Sequence, residues 1–505
     1  MTNHVVAYSR ENGGRVLILF LLFFLAMYQF VTAGFPAFAI ICVLPFIVLF
    51  GYWTFKYRMF AFWTLIIVNY FLQFKVITLS IPMSLPNEML QILLLSIAII
   101  DARQTPHFER CANIMLLAVI IWCTYCTLEI LNDTCGLGIN IGAWYTGARM
   151  MAFQLLYIFL VFSIYISSPE ILMKYLKLWA FMTLFSAFWT WKQQNLGFTA
   201  AEDRFLHGAG ATTHIIQGGT LIRYFSTFSD AANYGCNAAA AAIAFIIFGI
   251  TTKIKKYKWF FIIIAILVIK SMFASGTRTA IFCMVGGFAV YIVLSRSFKI
   301  AIPAMIIGGV LLFILAFTKI GHGNQQIRRM RSAFDRNDAS SDVRSINQQT
   351  MRKYMKDAPW GIGIGMFGQQ VPANNKYNLM ATIAADSEYV FIWLRTGRIG
   401  ITLFVITMLM MLGGACYIVM FRLKSPSLIG IGGGLCSAFV AIQLGGYANQ
   451  VLMQFPNCLT FYGGLSIVYI LPYLEPAWIA LEKKQLAEQE ERKRLKLEKK
   501  LASRV

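Results

Sequence analysis

Long runs of apolar residues dominate the chain, as in 16–31 and 259–269. A helix needs roughly 20 such residues to cross about 30 Å of hydrocarbon, and many of the runs approach or reach that length. The strict alternation of apolar and polar positions that a membrane β-barrel requires is missing from them. Because a chain in lipid must satisfy its own backbone hydrogen bonds, the pattern predicts an all-α polytopic membrane protein with about 14 transmembrane helices. The predicted spans are 16–33, 36–53, 59–77, 87–101, 111–130, 149–167, 173–191, 231–250, 259–275, 279–295, 300–319, 399–420, 428–447 and 457–474.

Lysine and arginine occur in every second short connector between these spans. By the positive-inside rule the connectors that carry them face the cytoplasm, and so do both termini. The segments 192–230, 275–279 and 320–398 are then expected on the outer face. The basic connector residues are Lys56, Arg58, Arg103, Arg110, Lys174, Lys177, Lys253, Lys255, Lys256, Lys258, Arg296, Lys299, Arg422 and Lys424.

These spans and connectors divide the chain into four regions. Residues 1–319 are predicted to hold transmembrane helices 1–11, and 320–398 to form one large periplasmic loop. Residues 399–474 are predicted to hold transmembrane helices 12–14. Residues 475–505 mix Glu with Lys and Arg and are typical of a charged, helical cytoplasmic tail.

Composition agrees with a membrane protein, since 58% of the residues are hydrophobic and only 13% are charged, against about 25% in soluble domains. A net charge of +22 suggests nucleic acid in a soluble protein, but here the cytoplasmic connectors and the tail account for much of it, so we expect no nucleic-acid partner. The outer loop 320–398 holds a further basic excess. It indicates an anionic partner such as a phosphate or an acidic glycan, or else contact with anionic headgroups. Its basic residues include Arg328, Arg329, Arg331, Arg336, Arg344, Arg352, Lys353 and Lys356.

Four elements with chemical potential fall on the predicted outer face. Arginines at the mouth of a helix bundle are costly unless they are paired, and converging guanidinium groups bind phosphate oxygens. A nearby carboxylate can accept a proton from a sugar hydroxyl. Together these parts fit glycosyl transfer from a lipid diphosphate. The elements are the segment Arg223–Asn233, the turn Ser275–Arg278, Arg344 followed by Pro359–Gly365, and Asp386–Tyr389 leading to Gly397 and Gly400.

Other interpretations of these elements remain open. Arg278 is also placed to act as an interfacial anchor, and Asp386 to cap the helix that follows it. The glycines of Pro359–Gly365 do not have dinucleotide-binding spacing and favour a tight turn. His207 and His214 lie seven residues apart with no third ligand evident, so we expect no metal site.

Over residues 220–420 the chain resembles the O-antigen ligase and polymerase superfamily, bacterial glycosyltransferases that use polyprenyl-diphosphate-linked saccharides. Members carry an Arg before a Gly- or Ser-Thr-Phe segment ending in Asn, then a Ser-x-x-Arg-like turn between spans. They continue with an Arg in the long loop, Pro-x-Gly-x-Gly, and His-Asn-x-Tyr with Gly eight residues after the Tyr. The matching positions are Arg223, Ser226, Phe228, Asn233, Ser275, Arg278, Arg344, Pro359, Gly361, Gly363, Asp386, Ser387, Tyr389 and Gly397.

One departure from the family pattern bears on the chemistry. Asp386 and Ser387 stand where the family has His and Asn. In ligases that His is the proposed base for the acceptor hydroxyl, and a carboxylate leaves base chemistry in place. Polymerase-like members accept Asp at this position, so the resemblance favours a polymerase.

The resemblance implies a GT-C-like fold in a bacterial inner membrane, with a periplasmic active site and an inverting mechanism that uses no metal or cofactor. Arg223 and Arg344 would hold the diphosphate while Asp386 deprotonates the acceptor. The expected partners are a polyprenyl-diphosphate-linked saccharide donor, a glycan, lipid or protein acceptor, and membrane lipids. The expected substrate-binding residues are Arg278, Glu388, Tyr389, Ser226 and Asn233, with Glu388 also the substitute base.

Two alternative functions remain at this point. A ligase would move the glycan onto lipid A core or onto a protein. A flippase or exporter of the same lipid-linked saccharide should carry charges along its spans and a cavity open to both faces. The charges here cluster on one face, which favours an enzyme.

Overall fold

The computed structural model describes residues 13–33, 35–76, 84–101, 108–216, 221–295, 325–332 and 339–502, with isolated positions between 302 and 323. The predicted span 300–319 lies largely outside these residues. Arg103, Arg296, Lys299 and Arg336 also lie outside them.

The described chain is almost entirely helical. Its α-helices are α1 (Gly13–Ala33), α2 (Phe35–Lys56), α3 (Met59–Phe71), α4 (Leu85–Ile100), α5 (Ile114–Leu128), α6 (Ile141–Ala148), α7 (Gln154–Tyr165), α8 (Pro169–Asn195), α9 (Ala200–His207), α10 (Ala211–His214), α11 (Ala231–Thr251), α12 (Lys255–Ala274), α13 (Thr279–Leu294), α14 (Gln325–Arg331), α15 (Ala339–Tyr354), α16 (Asn378–Thr382), α17 (Glu388–Tyr417), α18 (Pro426–Ala448) and α19 (Gly463–Ala502). Short 3₁₀ helices occur at Phe108–Cys111, Glu129–Leu131, Met355–Asp357 and Gly368–Gln370, and π-helices at Arg149–Phe153, Ile418–Arg422 and Cys458–Tyr462. One antiparallel hairpin pairs β1 (Ile215–Ile216) with β2 (Leu221–Ile222).

Eight helical stretches in the described part of the chain are long and apolar enough to cross a membrane. Every predicted span apart from 300–319 overlaps a helix of the structure, which confirms the all-α polytopic class. The eight stretches are Ile114–Leu131, Ile141–Tyr165, Pro169–Asn195, Ala231–Thr251, Lys255–Ala274, Glu388–Arg422, Pro426–Ala448 and Cys458–Leu495.

Two helices extend beyond the limits that hydropathy predicted. Helix α17 consists of two helical segments that meet at a kink at Gly397 (φ 66°, ψ −165°), and the first of them begins at Glu388, inside the segment predicted as loop. Helix α19 runs continuously from the last apolar span into the charged tail. The predicted limit at 474/475 therefore falls within one helix.

The chain divides into two compact units, Met1–Thr64 and Leu65–Val505. In the first unit α1 packs against α2, and the rings of Trp53 and Phe60 meet edge to face. In the second unit α11 contacts α12, α13 and α18. Small residues dominate α11 and α18, and they allow close approach of helices where lipid supplies no hydrophobic driving force.

The connectors of the second unit gather at two ends of the helix bundle. We call one of them the site end; it is built from 129–141, 196–216, 221–230, 275–278, 355–388 and 449–457. Three hydrogen bonds that join its segments are Asn132 Nδ2 to Trp360 O, Arg223 Nε to Ser275 O and Asn233 Nδ2 to Phe455 O.

The other end, the basic end, comprises 108–113, 166–168, 252–258, 422–425 and 475–489. Here the backbone N–H of Lys255 donates to Gln489, and that of Lys424 donates to Glu475. The candidate residues Arg223, Arg278 and Asp386 all lie in segments of the site end.

Candidate active site

Arg223 joins three segments of the site end. It follows β2, and its guanidinium donates from Nε to Ser275 O at 3.3 Å, from Nη1 to Thr213 O at 2.9 Å and from Nη2 to Thr277 Oγ1 at 3.1 Å. A guanidinium has five N–H donors, so these three bonds fix its plane and still leave donor capacity. Burial lowers the pKa of Arg223, and the charge of Asp230 opposes that change.

Arg223 and the two other predicted arginines, Arg278 and Arg344, form what we call the arginine cluster. The positive charges of Arg278 and Arg344 lie near enough to lower the pKa of Arg223 further. Arg278 Nη1 donates to Ser332 Oγ at 3.3 Å. Like charges brought together in this way are stable only where anions or fixed dipoles offset them, so the cluster is suited to a polyanionic ligand.

Asp386 contacts this arginine cluster directly. Its Oδ2 lies 3.5 Å from Nε of Arg344, and the two side chains are 43% and 36% exposed, respectively. An ion pair this exposed contributes little to stability and opens at little cost. Ser387, not Asp386, occupies the N-cap position of α17. The contacts of Asp386 therefore favour the predicted chemical role over a capping role.

The Ser275–Arg278 turn depends on a glycine. Gly276 has φ +59°, in the left-handed region that L residues rarely adopt. A Cβ added there would lie 3.1 Å from Cδ of Arg329 and 3.4 Å from Cγ of Arg223. Both arginines thus pack on the bare backbone, and Arg329 Nε donates to Gly276 O at 2.7 Å.

Arg329 is a member of the cluster that the sequence did not single out. It lies within the basic run of α14, where hydropathy and spacing give no means of telling which arginine turns inward. Its neighbour Arg331 donates instead to Ile320 O.

Two predicted substrate contacts, Ser226 and Asn233, are buried and engaged within the protein. Ser226 has φ 55°, and its Oγ donates to Ser186 O at 2.7 Å. Asn233 donates to Ser229 Oγ and Phe455 O, and its own oxygen accepts from Asn457. These contacts favour a positioning role for both residues over contact with substrate.

Glu388 and Tyr389 also turn inward. The Glu388 side chain is buried and its Oε2 accepts the backbone N–H of Leu452 at 3.0 Å. The Tyr389 hydroxyl donates to Oε1 of Gln443 at 2.9 Å. Glu388 is therefore poorly placed to replace Asp386 as the base in the arginine cluster.

The glycine-rich segment Pro359–Gly365 holds the start of α17 in place. Its backbone pairs with the bend at Gly397, where Ile362 N donates to Leu394 O at 2.9 Å and Arg398 N donates to Pro359 O at 2.9 Å. A Cβ on Gly397 would collide with Pro359 O. This docking fixes the short stretch that carries Asp386.

His214 anchors the Arg223 loop to helix α11. Its Nε2 accepts the backbone N–H of Ala231 at 3.1 Å, so the neutral ring carries its proton on Nδ1, next to Gly210 O. Burial lowers the pKa of His214 to about 4. Among the described residues, no group of three or more His, Cys, Asp or Glu side chains is placed to hold a metal ion.

A comparison with protein families gives a match to the O-antigen ligase family over residues 264–405. The matched segment contains Arg278, Arg344 and Asp386, whereas Arg223 lies before it. No curated protein matches the chain. The family match confirms the predicted resemblance to the O-antigen ligase and polymerase superfamily and supports a membrane glycosyl-transfer or ligase role.

Proposed function

We propose that this protein is an integral-membrane glycosyltransferase that transfers or polymerises saccharide units from a polyprenyl-diphosphate donor at the periplasmic face, in the manner of an O-antigen polymerase. The observation that carries the proposal is the contact between Arg344 and Asp386 beside Arg223. It brings an anion-binding group and a proton acceptor to one place, within the segment that matches the ligase family.

In the proposed reaction a hydroxyl oxygen of the acceptor attacks the anomeric carbon of the donor sugar. The bond from that carbon to the diphosphate oxygen breaks, and its electron pair leaves with the polyprenyl diphosphate. The hydroxyl proton passes to the carboxylate of Asp386, which acts as general base. Attack from the face opposite the leaving group inverts the anomeric configuration.

The arginines contribute by stabilising charge on the leaving group. Negative charge develops on the diphosphate as the sugar departs, and donors that are already fixed need no reorganisation at that moment. Arg344 breaks its ion pair with Asp386 and binds the diphosphate, while Arg223 and Arg278 supply further hydrogen-bond donors. Arg329 acts as a positioning residue through its bond to Gly276.

A ligase is the second candidate, since the matched family bears that description. The presence of Asp386 at the position where the family resemblance expects His favours the polymerase. The two activities share donor, site and chemistry, and differ in the acceptor.

Reconstitution with a polyprenyl-diphosphate oligosaccharide, followed by mass spectrometry of the products, tests this proposal. A ladder of repeat units identifies a polymerase. A single transfer to an acceptor that lacks a prenyl chain identifies a ligase. An unchanged donor in the presence of both acceptor types would refute glycosyl transfer.

The periplasmic location of the site can be tested by cysteine labelling in a cysteine-reduced background. Single cysteines at Thr212 and Arg352 should react with an impermeant reagent added from outside. Cysteines at Lys256 and Glu490 should react only after the membrane is opened. Labelling of position 352 from the cytoplasmic side alone would contradict a periplasmic site.

A further inference from the structure

A cavity of about 240 Å³ lies at the site end, and none of Arg223, Arg278, Arg329 and Arg344 lines it. It is bounded by the ends of α4 and α17, the junction of α6 and α7, and the loop after α18. Its polar walls include Glu88, Arg149, Gln154, Glu388, Gln450 and Gln454.

The cavity contains an ion pair within two apolar helical segments. Arg149 Nη1 lies 3.3 Å from Glu88 Oε2, and Arg149 Nη2 donates to Ser84 Oγ at 3.2 Å. Charged side chains within apolar helices are costly and usually mark a functional site. Arg149 also opens a π-helical turn, a distortion that is frequent at functional sites.

Glu88 has unused hydrogen-bonding capacity. Its side chain is 8% exposed, and its Oε1 is buried without a hydrogen-bond partner among the described residues. A buried carboxylate oxygen without a donor is costly. Glu88 Oε1 can therefore accept a hydrogen bond from a ligand or a solvent molecule in the cavity.

The chemistry of the walls fits a neutral sugar better than a phosphate. Carboxamides both donate and accept hydrogen bonds, as sugar hydroxyl groups do, and four glutamines line the cavity. Phe391 and Phe455 add apolar faces. One arginine faces two carboxyl groups here, so the cavity lacks the excess of positive charge that distinguishes the arginine cluster.

Its size also limits the ligand. Drug-sized ligands occupy pockets of roughly 300–1,000 Å³, so about 240 Å³ suits a molecule no larger than a sugar ring or two. An extended oligosaccharide would have to leave through the mouth of the cavity, where Thr146 is exposed.

The stretch that carries Asp386 borders the cavity. Gln450 Nε2 donates to Ala385 O, directly before Asp386. Glu388, two residues after it, lines the cavity wall. We propose that the cavity binds a sugar ring of the acceptor glycan next to Asp386, while the arginines hold the donor diphosphate. This assignment rests on the proposed function.

Saturation-transfer NMR on the whole protein in nanodiscs tests the binding step without requiring turnover. The probes are glucose, galactose and N-acetylglucosamine, each alone and with inorganic pyrophosphate as competitor. At least one sugar should receive saturation from the wild type, and pyrophosphate should leave that signal unchanged. No transfer to any of the three, or displacement by pyrophosphate, would overturn the proposal.

The variant Thr146→Phe blocks the cavity mouth at an exposed position, and Thr402→Phe is its matched control. Both threonines are exposed on a helix and donate from Oγ1 to the carbonyl four residues earlier. The sugar signal should disappear in Thr146→Phe and persist in Thr402→Phe and in Arg344→Lys. Gln154→Leu should weaken sugar binding about tenfold, since it removes hydrogen bonds within a buried wall. Persistence of the signal in Thr146→Phe would refute the site.

The kinetics of glycosyl transfer then distinguish acceptor binding from donor binding. If the cavity holds the acceptor, Thr146→Phe should raise the KM for acceptor about tenfold and leave the KM for donor unchanged. The reverse pattern would overturn the acceptor assignment. Sugar binding by a wild type that catalyses no transfer would leave the cavity in place and refute the proposed function instead.

Discussion

The two ends of the helix bundle hold their positive charge differently. At the site end, Arg223 donates to three acceptors and Arg329 donates to the carbonyl of Gly276. At the basic end, Lys253 is exposed in the connector before α12, and Lys256 and Lys258 are exposed in the first turn of that helix. A lysine ammonium group in water influences membrane topology through its charge alone. A guanidinium held by hydrogen bonds presents its N–H donors in a fixed geometry. Both ends carry many basic residues, but at the site end three hydrogen bonds to other segments hold the guanidinium of Arg223, which suits the anion binding proposed above.

The largest effect should come from removing the proton acceptor at the site end. Asp386→Asn keeps the shape of the side chain but removes its basicity, so turnover should fall by about 10²- to 10⁴-fold. Asp357→Asn is the matched control, since Asp357 lies in the same region but pairs with Lys376. Rates from the reconstituted assay would decide the matter: equal turnover in the two variants would exclude Asp386 as the base.

Asp386→His extends this test. An imidazole at this position should restore part of the activity, because it too can accept a proton from the acceptor hydroxyl. The acid limb of the pH–rate profile should move upward, because carboxyl groups ordinarily titrate near pH 4 and imidazoles near pH 6.5. An unmoved acid limb would mean that another group accepts the proton.

Exchanging arginine for lysine should lower the transfer rate at the site end but not at the basic end. Arg344→Lys keeps the charge but loses the planar fork, which should cost about 2–4 kcal/mol of transition-state stabilisation, or about 30- to 1,000-fold in rate. Arg422→Lys at the exposed basic end should leave the rate within about twofold of the wild type. Similar losses in both variants would show that the two ends do not differ as described.

A smaller, pH-dependent effect should appear in the loop that carries Arg223. Burial lowers the pKa of His214 to about 4, so the unfolded loop binds a proton more readily than the folded loop does. The stabilisation is complete above about pH 6.5, and it is lost as the pH falls towards about 4. Limited proteolysis of 196–222 should therefore accelerate in this window in the wild type.

The variant His214→Gln isolates this titration, and His207→Gln is the control because His207 is exposed. His214→Gln should be cleaved faster at pH 7.5 but should show little further increase at pH 5. His207→Gln should follow the wild type at both values. A wild-type pH response in His214→Gln would assign the effect to another group.

The sequence predicted the helices more completely than it predicted their ends and contacts. Apolar runs located the spans because burial in lipid imposes hydropathy on each helix independently. The early start of α17 at Glu388 was missed, since it depends on a backbone bend at Gly397 that docks onto Pro359–Gly365. A hydropathy pattern does not reveal contacts of this kind between separate segments.

For the candidate site too, the sequence identified residues more completely than it predicted their contacts. Arg223, Arg344 and Asp386 were identified from their residue types and shared face, and the structure brings them together. The inward contacts of Ser226 and the pairing of Glu88 with Arg149 depend on which helices pack together. Residues from helices distant in sequence meet only through tertiary structure, so no local pattern predicts these contacts.

Binding of sugar-free polyprenyl diphosphate to the protein in nanodiscs measures the contribution of the arginines separately from the transfer reaction. The affinity should be similar in the wild type, Arg422→Lys and Asp386→Asn, and at least about tenfold weaker in Arg344→Lys. Retained binding in Asp386→Asn, together with lost turnover, would separate the base from the anion site. Equal binding in the wild type and Arg344→Lys, or loss of binding in Arg422→Lys, would show that the arginines at the site end do not form the proposed diphosphate site.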